Sequence, residues 1–158
     1  MRKSRVFGIF FIVLSTIALF GFVSMQDSKI DRKQLRDTLT QLGYEVEEIV
    51  KEEGKEKYAD SFTRDGLKIP VAFEISPSNS YIWLTVNLGE APPDSAPKNQ
   101  ALLKQNSKIQ PTFFYITDKN LLMAALAVEN RGVTNAIIRT RAETISENIG
   151  KTKDVWQK

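Results

Sequence analysis

The sequence predicts an α+β domain: an antiparallel sheet of about five strands with three helices, in the order α-βββ-α-ββ-α. Three observations carry this. The segments LKIPVAFEI and YIWLTVNL alternate apolar and polar residues, which is the pattern of a half-buried strand. Short turn signals join the strand runs, which implies antiparallel pairing. Amphipathic helical segments precede, divide and follow those runs.

The first helix is expected near Lys29, capped by Ser28, with Asp31 in its first turn, where a carboxylate is favoured. Leu35, Leu39 and Leu42 follow at helical spacing, and Gly43 stands where a left-handed terminating residue is wanted. Two extended runs then meet at the turn Arg64-Asp65-Gly66. Leu67, Ile69, Val71, Phe73 and Ile75 share one face of the next strand. Pro70 cannot donate to a ladder, so the strand begins after it or lies at an edge there. After the turn from Ser76 to Ser80, Ile82, Leu84, Val86 and Leu88 form a core face, and Tyr81, Trp83, Thr85 and Asn87 form the other.

The proline-rich stretch GEAPPDSAPK leads to a second helix from Ala96 to Asn106, capped by Ser95, with Pro97 in its first turn. Pro111 closes its exit. Strands from Thr112 to Thr117 and from Leu121 to Val128 flank the turn Asp118-Lys119-Asn120. In the second of these, Met123, Ala125 and Ala127 make a narrow face that would let a helix approach. Thr134 caps the last helix. Its stripe of Ile138, Ala142, Ile145, Ile149, Thr152 and Trp156 falls within about 40° of one line at 100° per residue. Gly150 is expected to kink or loosen it.

The amino terminus reads differently. Residues 1–5 are a basic stub with Arg2, Lys3 and Arg5, and the 20 residues from Val6 to Met25 carry no charge. A helix of that length spans about 30 Å, the hydrocarbon thickness of a bilayer. The residues before any cleavage point are large, so an uncleaved anchor is favoured over a cleaved signal. Residues 6–25 are thus expected to hold the chain in a bacterial cell membrane by a single pass, with residues 27–158 as an extracytoplasmic domain. Secretion or periplasmic release after cleavage is the alternative.

Of the 22 lysines and arginines three lie in the stub, which leaves 19 against 19 acidic residues. A neutral domain speaks against nucleic acid, which calls for a clustered positive face. Charge is unevenly spread: residues 45–60 are acid-rich and residues 98–119 are basic, two solvated faces or a mutual docking surface in a dimer.

The chain has no cysteine and no histidine. Disulfides, Ser-His-Asp and Cys-His catalysis and the usual zinc sites are therefore excluded. No glycine-rich phosphate loop is present. Carboxylates remain as the sole acid-base groups, in Glu45, Glu47, Glu48, Glu52, Glu53 and Glu56, and they read as solvated surface. No catalytic residue, metal or cofactor is expected.

The segment ALLKQNSKIQPTFFYITDKNLLMAALAVENRGVTNAIIR, from Ala101 to Arg139, resembles the type III secretion chaperone fold, the Tir-chaperone and YbjN-like group. The residues that carry the resemblance are Leu102, Leu103 and Asn106, then Phe113, Phe114, Tyr115 and Ile116. They continue through Leu121, Leu122, Glu129 and Asn130 to Trp156. The resemblance covers roughly residues 30–156. It implies a small non-enzymatic homodimer that holds partly unfolded partner chains on its sheet and helix surfaces. The chain departs from the secretion chaperones, which are cytosolic and acidic, in its apolar amino-terminal segment and its neutral domain.

The aromatic strand face at Tyr81 and Trp83 either packs under the first or last helix or, where three helices leave one face of the sheet open, is the candidate binding patch or dimer seam. Glu129, leaving a buried strand, is the third candidate, with Arg131 or Arg139 as possible ion-pair partners. Asn106 and Asn130 are read as side chains that satisfy backbone groups at element ends. The expected function is a membrane-tethered or exported protein-binding module. A structural envelope component and a carboxylate-dependent hydrolase are the alternatives.

Overall fold

The first helix, α1 (Arg32–Gln41), starts at Asp31 rather than Ser28. Both residues can cap, but only Asp31 has a glutamine three residues later. The Asp31 carboxylate accepts from the Gln34 backbone N–H at 2.8 Å, and the Gln34 side chain accepts from the Asp31 N–H at 2.8 Å. That reciprocal pair fixes the start. The computed structural model describes residues 28–92 and 96–157, so the basic stub and the expected anchor lie outside the described residues.

Four strands follow: β1 (Glu47–Val50), β2 (Lys57–Arg64), β3 (Leu67–Ile75) and β4 (Tyr81–Glu90). Then come α2 (Ala96–Asn106), β5 (Phe113–Ile116), β6 (Leu121–Glu129), α3 (Asn135–Lys151) and the short α4 (Lys153–Trp156). The six strands form one sheet in the order β1-β2-β3-β4-β6-β5, antiparallel throughout. The architecture is the expected α+β one with one strand and one short helix more. The added strand, β1, is a charged edge segment that joins through its backbone opposite β2, and its side chains give little alternation to read.

The turns fall where expected. Asp65 and Gly66 both have positive φ, at 47° and 78°, and close the two-residue β2–β3 hairpin. Gly43 has φ 82°, the left-handed exit from α1. Pro70 lies within β3, but the ladder to β4 runs only from Ala72 to Ile75, so at Pro70 the strand has β2 alone as its neighbour. The missing N–H costs no sheet bond there.

One face of the sheet is the core. Tyr58, Phe73, Leu84 and Leu126 lie opposite one another across β2, β3, β4 and β6, and Val86, Ala124 and Phe114 make the next row. Ile138, Ala142, Ile145 and Ile149 of α3 are fully buried in this cluster, with Leu35 and Leu39 of α1. Thus α3 comes to the side of Leu122, Ala124, Leu126 and Val128, not to the narrow face of Met123, Ala125 and Ala127. Its branched stripe finds apolar area to bury only on the former.

The helix continues through Gly150 to Lys151 and is capped at Thr152, whose hydroxyl donates to the Asn148 carbonyl at 2.6 Å. Beyond it, Trp156 folds back and its indole N–H donates to the Ile149 carbonyl at 3.0 Å. Gly150 has a packing reason. A Cβ there would stand 2.9 Å from Cβ of Arg64, too close for two carbons. We expect Gly150→Ala to destabilise the domain by about 1–3 kcal/mol, overpacking outweighing the helix propensity of about 1 kcal/mol that alanine brings. Urea unfolding monitored by circular dichroism measures it.

Candidate functional site

The face opposite the core is built from the alternate residues of the same strands. Register sets three rows across it. Lys57, Glu74, Trp83 and Ala127 form the first; Ala59, Ala72, Thr85, Ala125 and Phe113 the second; Asn87, Met123 and Tyr115 the third. Tyr81 stands beside Glu129 just before the first row. No residue of a described helix lines the depression at the centre of this face.

Four aromatic rings run obliquely across it. Tyr81 and Trp83 have ring centroids 6.3 Å apart; Trp83 and Phe113 are 6.3 Å apart and nearly perpendicular, at 81°. Phe113 and Tyr115 follow at 5.9 Å. Trp83 and Phe113 sit on strands separated by β6, and they meet because only Ala125 and Ala127 lie between them. Small residues on β6 therefore serve ring packing rather than helix approach. Ala125 is 2% exposed beneath the rings, whereas Tyr81 is 46% and Tyr115 36% exposed.

Between the rings lies a depression of about 320 Å³, lined by Glu74, Trp83, Thr85, Phe113, Tyr115 and Ala125. Glu74 is ion-paired with Lys57 at 2.5 Å. Burial raises the pKa of the Tyr115 phenol; the nearby Glu74 carboxylate raises it further, and Lys57 opposes. The phenol is thus neutral at ordinary pH and faces Glu74 across the depression.

The three sequence candidates separate on this face. Tyr81 and Trp83 are joined in the aromatic row, and Glu129 lies exposed at its end, beside a polar hollow shared with Lys29, Ser80, Asn130 and Arg131. Phe113 and Tyr115 were not among the candidates. Their alternation in FFYI was readable, but the pairing that sets them beside Trp83 was not.

A second apolar groove, of about 210 Å³, runs between α2 and β5, lined by Leu102, Leu103, Phe114, Tyr115, Ile116 and Leu122 with Asn99. Leu103 is 69% and Ile116 44% exposed on its rim. The acid-rich segment, in contrast, is paired or solvated. Glu56 meets Arg32 at 3.4 Å and Glu52 meets Lys55 at 2.6 Å. Among the described residues no group of three or more acidic, histidine or cysteine side chains could hold a metal ion. Nor is any described helix long and apolar enough to cross a membrane.

Asn106 holds the site's outer strand. Its side chain accepts from the Phe114 N–H at 2.7 Å and donates to the Phe114 carbonyl at 3.1 Å. It thereby acts as a one-residue strand on the free side of β5 and fixes Phe113 and Tyr115 on either side. Asn130, fully buried, does the same for Ile30, accepting at 3.1 Å and donating at 2.9 Å, and also donates to the Asn79 carbonyl at 3.2 Å.

No family model matches the chain, and no curated protein matches it. Among solved structures, YbjN of E. coli, described as a candidate transcription regulator, superposes with a TM-score of 0.57 at 19% identity, over 80% of this chain and 96% of that one. A chain of the HopA1-SchA chaperone-effector complex superposes with a TM-score of 0.50 at 10% identity, over 81% and 98%. The domain therefore has a secretion-chaperone-like, YbjN-like fold. Identities this low carry the fold and no more.

Removing the Asn106 side chain would leave both Phe114 backbone groups without their partner, at a cost of about 1–3 kcal/mol. Asn106→Ala is expected to speed amide hydrogen exchange at Phe114 strongly while exchange in β3 stays slow, a contrast read residue by residue by NMR.

Proposed function

We propose that this protein is a non-enzymatic protein-binding module, chaperone-like or adaptor-like, that receives a partner chain on its uncovered aromatic sheet face. The observation that carries the reading is the oblique row Tyr81, Trp83, Phe113 and Tyr115, partly exposed around a depression that no described helix lines. Aromatic side chains supply large, stiff contact area and dominate binding energies at protein interfaces. The fold shared with a chaperone-effector complex supports a protein as the occupant. Glu129 stands beside Tyr81 on the same face and would add a charged contact at its rim.

Residues 6–25 supply the proposed location. A run of 20 uncharged residues behind a basic stub supports a single-pass anchor in a bacterial membrane, with the domain outside the cytoplasm; cleavage and release is the alternative. A homodimer is proposed along the α2–β5 groove, because Leu103 and Ile116 expose apolar area beside it. Leu103→Glu is expected to convert a dimer to a monomer in light scattering of the full chain in detergent. An unchanged mass would place the seam elsewhere.

The binding face is tested by photo-crosslinking in native cells, with a crosslinking amino acid in place of Tyr81, which is exposed on the open face away from the α2–β5 groove, or of Thr140 on the exposed side of α3. We expect a discrete set of partner adducts from position 81, absent from position 140 and reduced severalfold by Trp83→Ala with thermal stability retained. Equal adducts from both positions, or none, would refute the aromatic face as the binding surface.

A further inference from the structure

The depression within the aromatic row has the form of a cation seat. Trp83 and Phe113 stand at 81°, two perpendicular walls, and Tyr115 makes a third. Ala125 and Thr85 keep the floor low, and Glu74 places a carboxylate in the wall. Each feature suits a positive charge. Ring faces are negative and attract a cation within about 6 Å of the centroid. A carboxylate beside apolar walls is screened less than one in open water.

We propose that this depression seats an arginine side chain presented by the partner chain, an inference that rests on the partner-binding reading of the same face. Arginine fits better than lysine. Its flat, weakly hydrated guanidinium can lie against a ring while two of its N–H groups reach one carboxylate. The seat is occupied in part by charge of the chain's own: Lys57 pairs with Glu74 from the first row. An incoming guanidinium would share or take over that carboxylate, and Lys57 sets the strength of the competition. Glu129 at the end of the row shares its hollow with Lys29 and Arg131, so the carboxylate that distinguishes the seat is Glu74.

The test uses the full chain in maltoside micelles, with 5-fluorotryptophan at both tryptophans. The two fluorine resonances, Trp83 and Trp156, are assigned through Trp156→Phe. The probe is a short capped peptide of serine and leucine with one central arginine, compared with the same peptide carrying neutral citrulline. We expect the arginine peptide to move the Trp83 resonance and not that of Trp156. It should bind at least about fivefold more tightly than the citrulline peptide. Glu74→Gln should abolish that preference, and Lys57→Gln should enlarge it, a gain that a merely structural ion pair would not produce. Thermal unfolding checks that both variants fold.

Equal binding of the two peptides at Trp83 overturns the arginine seat and leaves the partner-binding face standing. A shift at Trp156 alone overturns it as well. No shift at either tryptophan up to millimolar peptide counts against both readings.

Discussion

Everything in this domain depends on the burial of a single helical stripe. Ile138, Ala142, Ile145 and Ile149 leave water completely against one face of the sheet, and the strands present their large apolar residues to that side. Fully burying an aliphatic side chain of this size contributes about 1.5–3 kcal/mol. No other described element offers a comparable continuous surface. α3 takes the core face, and no described helix lines the depression at the centre of the opposite one. It is left with alanines, threonine and aromatic rings, which pack upon one another. The openness of the candidate site is thus a consequence of where α3 goes.

Three asparagines join the parts that the core alone would leave loose. An amide side chain offers a donor and an acceptor in the arrangement of a peptide group, so it can satisfy both backbone groups of one residue. Asn106 does so for Phe114 in β5, and Asn130 for Ile30 ahead of α1. Asn148, on α3, donates to the Ile109 carbonyl at 2.8 Å and the Thr112 hydroxyl at 3.0 Å, and ties the segment between α2 and β5 to the core. These contacts add directional constraint where apolar burial is non-directional. With the ladder to β6, the contacts of Asn106 and Asn148 hold β5 in position, and with it the spacing of Phe113 and Tyr115 from Trp83.

Much of this was legible in the chain because alternation and turn chemistry are local. LKIPVAFEI and YIWLTVNL each declare two faces, and Asp65-Gly66 declares its hairpin. The aromatic pair Tyr81 and Trp83 was readable as the face away from the core for that reason. What remained hidden was long-range. Nothing local says that β6 inserts between β4 and β5, so nothing local says that Trp83 meets Phe113. Taken alone, the alanines of β6 suggest room for a helix; the same small volume serves rings leaning across from two neighbouring strands. Gly150 suggests a weak point in the helix, because the approach of Arg64 that excludes a side chain there comes from 86 residues away in sequence. Asn106 and Asn130 were correctly read as backbone-satisfying, but which backbone they serve follows from tertiary position alone.

The placement of the chain's entry gives the site a direction. Ile30 is clamped by Asn130 at the end of β6, beside Glu129 and close to Tyr81, so the folded domain begins at one end of the aromatic row. From there Trp83, Phe113 and Tyr115 lie progressively farther along the strands. Glu129 and Met123 mark the two ends on β6, six residues apart and thus about 20 Å at the rise of a strand. Five residue steps separate residue 25 from Ile30 in this clamp, a reach of at most about 18 Å when fully extended. Under the proposed tether, the Tyr81 end would lie at the membrane surface and the Tyr115 end away from it. A partner segment would then reach the depression from the side, along the membrane, and meet the carboxylates Glu129 and Glu74 in turn. Such an approach favours a partner that is itself held at the membrane, because confinement to the same surface raises the effective concentration of two sites that bind weakly in solution.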